Sequence, residues 1–310
     1  MFAKRFLLIF AGVICLSRSP SAAATEPPPQ FLTMWGIPSG VHSAMPWGVA
    51  VNAAGYVYVA DQGDQRVYKF TDTGQMVLSW ATQAAGIAVD ATGRIFVADY
   101  WDNSVLVFTS DGVLLYQFGE PGTDPGQLNA PSDVTVSPSG TVYVANPANY
   151  RVEKYDRNGS FLGTLGVGIH AVGVAVDAAG NLFVSDSENK VICKFDPAGN
   201  LLLSFGGPGS APGLFNGPVG LALDSAGDLY AADYGNNRIQ KFSPNGSLLS
   251  YWGTQGTGAG QFNLTLDVAI GPDGSIYVTD SGNNRVQKFG YGVVSAAVET
   301  WGAVKARYRH

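Results

Sequence analysis

The sequence predicts an all-β fold, a six-bladed β-propeller of four-stranded antiparallel blades, on three observations. A unit of 38 to 47 residues recurs along the 310-residue chain, marked by turn glycines at Gly55, Gly93, Gly140, Gly180, Gly227 and Gly274. Forty glycines and 17 prolines beside only 14% charged residues point to many tight turns between short strands. The strand after each turn glycine, such as LYAAD (229–233), is apolar on both faces, as it must be when sheets press on it from two sides. A period near forty residues with several short strands per unit is the signature of propeller blades.

Taken in chain order, residues 1–24 read as a secretory signal: a Lys4 and Arg5 head, an apolar run from Phe6 to Leu16, and Ala22 and Ala24 at the small-residue places before a cut at Thr25. The run is about half a bilayer span, and no later stretch is long enough to cross. A secreted or periplasmic protein without a transmembrane segment is therefore expected. Residues 25–290 make the propeller. Each unit opens on a short inner strand, such as VAV (49–51), IAV (87–89) or LAL (221–223), and turns through a DxxG-type corner into the doubly apolar second strand. A third strand of RIQKF type (238–242), a second glycine turn such as SPNG (243–246) and an outer strand such as LLSYW (248–252) complete it. Three units are entered through 13-residue glycine-rich loops beginning at Gly119, Gly206 and Gly253. The last contains Gly256, Gly258 and Gly260, but a strand rather than a helix follows, so it is no phosphate loop. FLTMWG (31–36) has the lettering of the later outer strand LLSYWG and is expected to close the ring as the outer strand of the last blade, removing an exposed edge. VETWG (298–302), in the tail 291–310, is the alternative closer.

The text of these units, most clearly DSGNNRVQKF (280–289), resembles the NHL-repeat family over residues 31–290. The resemblance implies a six-bladed propeller. It implies little about activity, because members of the family include RNA-binding modules, extracellular sensor domains and lyases with a metal in the channel.

Charge narrows the partners. Eighteen basic against 24 acidic residues give a net charge of −6, and three of the bases precede Glu26, the first acid. A chain this acidic is a poor polyanion binder, since nucleic-acid affinity comes largely from Lys and Arg displacing phosphate counterions. The loops joining second to third strands and those entering each blade emerge on one face of the ring. On this variable face stand Trp47, Tyr100, Trp101, Tyr150 and Tyr234, an aromatic set able to stack on sugar rings or grip a peptide, or else to pack on its own loops. Arg66, Arg151, Arg238 and Arg285 recur at one blade position, where each is expected to pair locally with the Asp or Asn ending the second strand.

Two aspartates stand out at the entry to the inner strands. Gly48, Gly86, Gly173 and Gly220 share one position in blades 1, 2, 4 and 5, whereas blades 3 and 6 carry Asp133 and Asp267 there. Facing each other across the channel mouth, these carboxylates could hold a divalent cation, with the loop histidines His42 and His170 as further ligands, or could cap their own loops. No cofactor is firmly implied. The leading expectation is a monomeric binding module for a peptide, protein or glycan on the variable face, with no reaction assigned. The alternative is a metal-dependent lyase or hydrolase at the channel mouth.

Overall fold

A computed structural model describes residues 24–38 and 43–291. Residues 1–23, the loop 39–42 and the tail from 292, including the alternative closing segment 298–302, lie outside the described residues. The chain forms six four-stranded antiparallel sheets. The innermost strands, Pro46–Val51, Ile87–Val89, Asp133–Val136, Ala171–Val176, Pro218–Leu223 and Thr265–Ile270, neighbour one another around a central channel, the last returning to the first. Among the described residues no helix is long and apolar enough to cross a membrane.

The second strands carry the core. Val57–Asp61, Ile95–Asp99, Val142–Asn146, Leu182–Asp186, Leu229–Asp233 and Ile276–Asp280 are buried at every residue, since each is clasped by its own sheet and by both neighbouring blades. The apolar clusters straddle blade boundaries; one joins Tyr143 and Val152 to Val184 and Phe195. Burying each such side chain contributes about 1.5–3 kcal/mol, so blade contact rather than any one sheet stabilises the ring.

Closure is made by the N-terminal strand. Gln30–Gly36 pairs antiparallel with Arg285–Gly290, with Phe31 opposite Phe289 and Trp35 opposite Val286. Phe31 meets the Phe289 ring edge-on at 5.9 Å, and Trp35 packs against Phe70 of blade 1. In four blades the third-strand lysine donates to a carbonyl in the next blade's glycine turn: Lys69 to Ser110, Lys154 to Pro197, Lys194 to Pro244 and Lys288 to Asp72. Blade 5 has no such turn ahead of it, because there the two chain ends meet. The N-terminal segment stands in, with Glu26 Oε2 2.8 Å from Lys241 Nζ, the amides of Thr25 and Glu26 donating to the Leu249 carbonyl, and the Tyr291 ring beneath the lysine.

Candidate functional site

The variable face is uneven. In blades 3, 5 and 6 the link from second to third strand coils into a 3-10 turn, Pro147–Asn149, Tyr234–Asn236 and Ser281–Asn283. These are the three blades entered through the 13-residue loops, and an arginine locks each loop down. Arg238 Nε lies 2.8 Å from Asp233 Oδ2, and its terminal nitrogens donate to the carbonyls of Ser210, Ala211 and Leu214. Arg285 repeats this with Asp280 and the carbonyls of Thr257, Gly258 and Gln261. Arg151 pairs with Glu153 and donates to Thr123 and Asp124. Gln240 and Gln287 complete the lock, each accepting one loop amide, Gly213 or Gly260, and donating to a loop carbonyl. The guanidinium's fork of five donors suits such convergent carbonyls. The local pairing expected from sequence therefore holds for Arg238 and Arg285. Arg66, in a blade without the loop, turns instead to Ser79 Oγ at 3.0 Å.

The aromatic candidates divide into four places. Trp101, 60% exposed, meets the Tyr100 ring edge-on at 5.2 Å on blade 2. Tyr150, 45% exposed and held left-handed at φ 53°, lies edge-on to His170 at 5.4 Å, and His170 Nδ1 is 2.9 Å from Ser187 Oγ. Tyr234 stands apart on blade 5, and Trp47 lines the axis rather than the loops. His42 lies outside the described residues. Met45, Val167 and Leu264 are exposed in the entry loops of the same face.

At the axis the ring narrows to the level of the four glycines and two aspartates. A Cβ on Gly86 would stand 2.4 Å from Asp133 Cα, and one on Gly220 would stand 2.0 Å from Asp267 Oδ1. Close approach of neighbouring blades therefore excludes any side chain there. The two carboxylates fill what remains, with a cavity of about 10 Å³ on the variable side and one of about 270 Å³, walled by the aliphatic inner strands, toward the glycine-turn face.

Both carboxylates accept two backbone amides. Asp133 takes Val134 of its own strand at 2.8 Å and Val174 of blade 4 at 2.9 Å. Asp267 takes Val268 at 2.8 Å and Val49 of blade 1 at 2.8 Å. The expectation of a cap confined to each loop is thus corrected: one oxygen of each reaches across a blade boundary. Asp133 opens only onto the narrow channel, and the loss of hydration pushes its carboxyl up to about 7 against the pull of the two amides. Asp267 is raised well above the ordinary carboxylate range by burial first and by the charge of Asp133 second.

The described residues do not fit a metal. All four carboxylate oxygens are engaged by N–H donors, His170 is committed to a different loop, and among the described residues no group of three or more His, Cys, Asp or Glu is arranged to hold an ion.

A family model for the NHL repeat matches residues 82–108, 215–242 and 262–289. This is an NHL-repeat propeller. Among solved structures, the NHL propeller is similar to a streptogramin B lyase (TM-score 0.63, 14% identity, 83% of this chain and 97% of that one). It is also similar to a gluconolactonase from Xanthomonas campestris (TM-score 0.64, 16% identity, 88% and 98%) and to a hydrazine synthase chain from Kuenenia stuttgartiensis (TM-score 0.60, 14% identity, 82% and 97%). At such identities the likeness is one of fold. No curated protein matches the chain in sequence.

Sequence reasoning passed over two features of the NHL propeller's site. The exposed aliphatic residues Met45, Val167 and Leu264 were legible as apolar letters in loops. The loop lock was legible too, because only the three units with 13-residue loops carry Arg-x-Gln or Arg-x-Glu at the start of the third strand.

Proposed function

We propose that this NHL propeller is a binding module acting outside the cytoplasm, taking a peptide, protein or glycan on its variable face. The observation that carries the reading is the contrast between that face and the axis. The loops present Trp101, Tyr150, Tyr234, Met45, Val167 and Leu264 to solvent, whereas the axis narrows at the level of the two aspartates to a cavity of about 10 Å³. Aromatic side chains offer large contact area at small entropic cost, which suits recognition of sugar rings and extended peptides. The similarity to a lyase and a gluconolactonase raises a second reading, hydrolysis or elimination at the channel mouth. The geometry of Asp133, Asp267 and His170 supports that reading less, because both oxygens of each carboxylate already accept backbone amides and His170 Nδ1 faces Ser187 on another loop.

The test is a glycan and peptide array screened with the mature protein, followed by Trp101→Ala. The substitution is expected to weaken the selected ligand by about 1–3 kcal/mol, as an exposed anchor residue does. A stability loss in the same variant as large as the affinity loss would make Trp101 a packing residue and remove the reading.

A further inference from the structure

The two axial aspartates divide the ring. Asp133 ties blade 3 to blade 4 through the Val174 amide, and Asp267 ties blade 6 to blade 1 through the Val49 amide. A hydroxyl bond crosses each of these seams as well: Ser132 Oγ donates to the Val172 carbonyl at 2.7 Å, and Thr279 Oγ1 donates to the Trp47 carbonyl at 3.1 Å. Ser185 Oγ donates in the same way to Val219 between blades 4 and 5, at 2.7 Å, so it is the carboxylates that distinguish the two seams. Blades 1–3 therefore form one half of the propeller and blades 4–6 the other, joined along one diameter by matching sets of bonds. At the corresponding position the other four blades have only glycine.

Among the described residues nothing cationic faces the pair. Beside the two carboxylates, the constriction is lined by Trp47, Ser132, Leu266, two valines and two glycines, and the channel below it by aliphatic inner-strand residues and Thr135. Among the described residues of the strands and entry loops packed on the axis, the charge that reaches Asp267 is that of Asp133. Two ionised carboxylates in this narrow ring would repel one another without a counter-charge, whereas one neutral and one ionised carboxyl keep their amide donors without that repulsion.

We propose that Asp133 and Asp267 form a proton-held clasp between the two halves of the propeller, so that loss of the proton retained by the pair loosens the seams between blades 3 and 4 and between blades 6 and 1. The sign follows from linkage. The folded ring binds a proton that the unfolded chain has already released in the range from about pH 4 to 7, so stability falls as pH rises through that range and is highest below it. The clasp makes the seams, rather than the outer strands, the place where the ring yields in neutral and alkaline solution.

Amide hydrogen exchange on the mature wild-type protein between pH 5 and 8.5 tests the clasp, with each rate corrected for intrinsic base catalysis. Protection at Val49 and Val174 is expected to fall by about tenfold or more, the equivalent of a shift of one pKa unit, while the Val97 and Leu229 amides, in second strands away from both seams, hold steady. Carboxyl carbon NMR should show Asp133 and Asp267 titrating together and above the range of ordinary aspartates. In Asp267→Asn the pH dependence of Val174 protection should shrink, because Asp133 has lost its opposing charge. Protection at Val49 and Val174 that does not change with pH, or carboxyl resonances that titrate in the ordinary range, would overturn the clasp. Both of these readouts come from the wild type and survive a variant that fails to fold.

Discussion

Blades 3, 5 and 6 differ from blades 1, 2 and 4 in a way that no single strand reveals. The first three carry a long entry loop, a 3-10 turn and an arginine with its Gln or Glu partner, all bonded into one unit. The other three have short connections, and the exposed Trp101 on blade 2 and the half-buried His170 at the entry to blade 4 stand on loops without that lock. Both kinds of blade furnish the variable face: Tyr150, Tyr234 and Leu264 stand on the locked blades, and Trp101, Met45 and Val167 on the open ones. A repeat can keep one fold in every unit while holding its surface groups on loops of different rigidity. Loop length is cheap to vary, since closing a longer loop costs little, but a long loop buried against its neighbours must satisfy its carbonyls. The guanidinium does that in three blades at once.

The comparison can be broken at several points. Deletion of residues 25–36 should have the largest effect, because blade 6 then loses its outer strand and the burial of Phe31 and Trp35. A loss of about 5 kcal/mol or more is expected from the two aromatic side chains and the strand pairing. Thermal unfolding that matches the intact mature protein would show that the ring is closed by some other segment.

Next in size, Arg238→Ala leaves Asp233 buried without its cation and three loop carbonyls without a donor. Urea denaturation should register about 3–5 kcal/mol, the scale of breaking a buried pair by removing one partner. The matching change in an unlocked blade, Arg66→Ala, removes only bonds to Ser79 and should cost no more than about 1 kcal/mol. Equal losses in the two variants would erase the distinction between locked and open blades. Smallest of all is the stability change expected for Trp101→Ala, within about 0.5 kcal/mol, since the side chain is 60% exposed.

Much of this was legible in the letters. The glycine turns, the doubly apolar second strands and the FLTMWG segment determined the number of blades, their order and the way the ring closes, because strand periodicity and turn chemistry are local properties. Predicted strands such as 229–233, 238–242 and 248–252 coincide with the observed Leu229–Asp233, Arg238–Phe242 and Leu248–Trp252. The inner strands Pro46–Val51 and Pro218–Leu223 begin about three residues earlier than the apolar runs suggest, because irregular pairing near Gly48 and Gly220 carries the strand past the glycine. The glycine-rich loops, read as plain connections, contain a short parallel pairing of Glu120–Pro121 with Gln127–Leu128.

What the letters could not decide is which distant groups meet. The two aspartates were visible as departures from glycine and their opposition followed from six-fold symmetry. That each would reach an amide of the next blade, 41 residues onward for Asp133 and 218 residues back for Asp267, depends on how closely the blades press at the axis. The aromatic set likewise looked like one cluster in sequence and is four separate places in space. Local sequence sets strand and turn, whereas the separation between loops on different blades is set by the packing of whole sheets, a sum over many side chains that no one unit encodes.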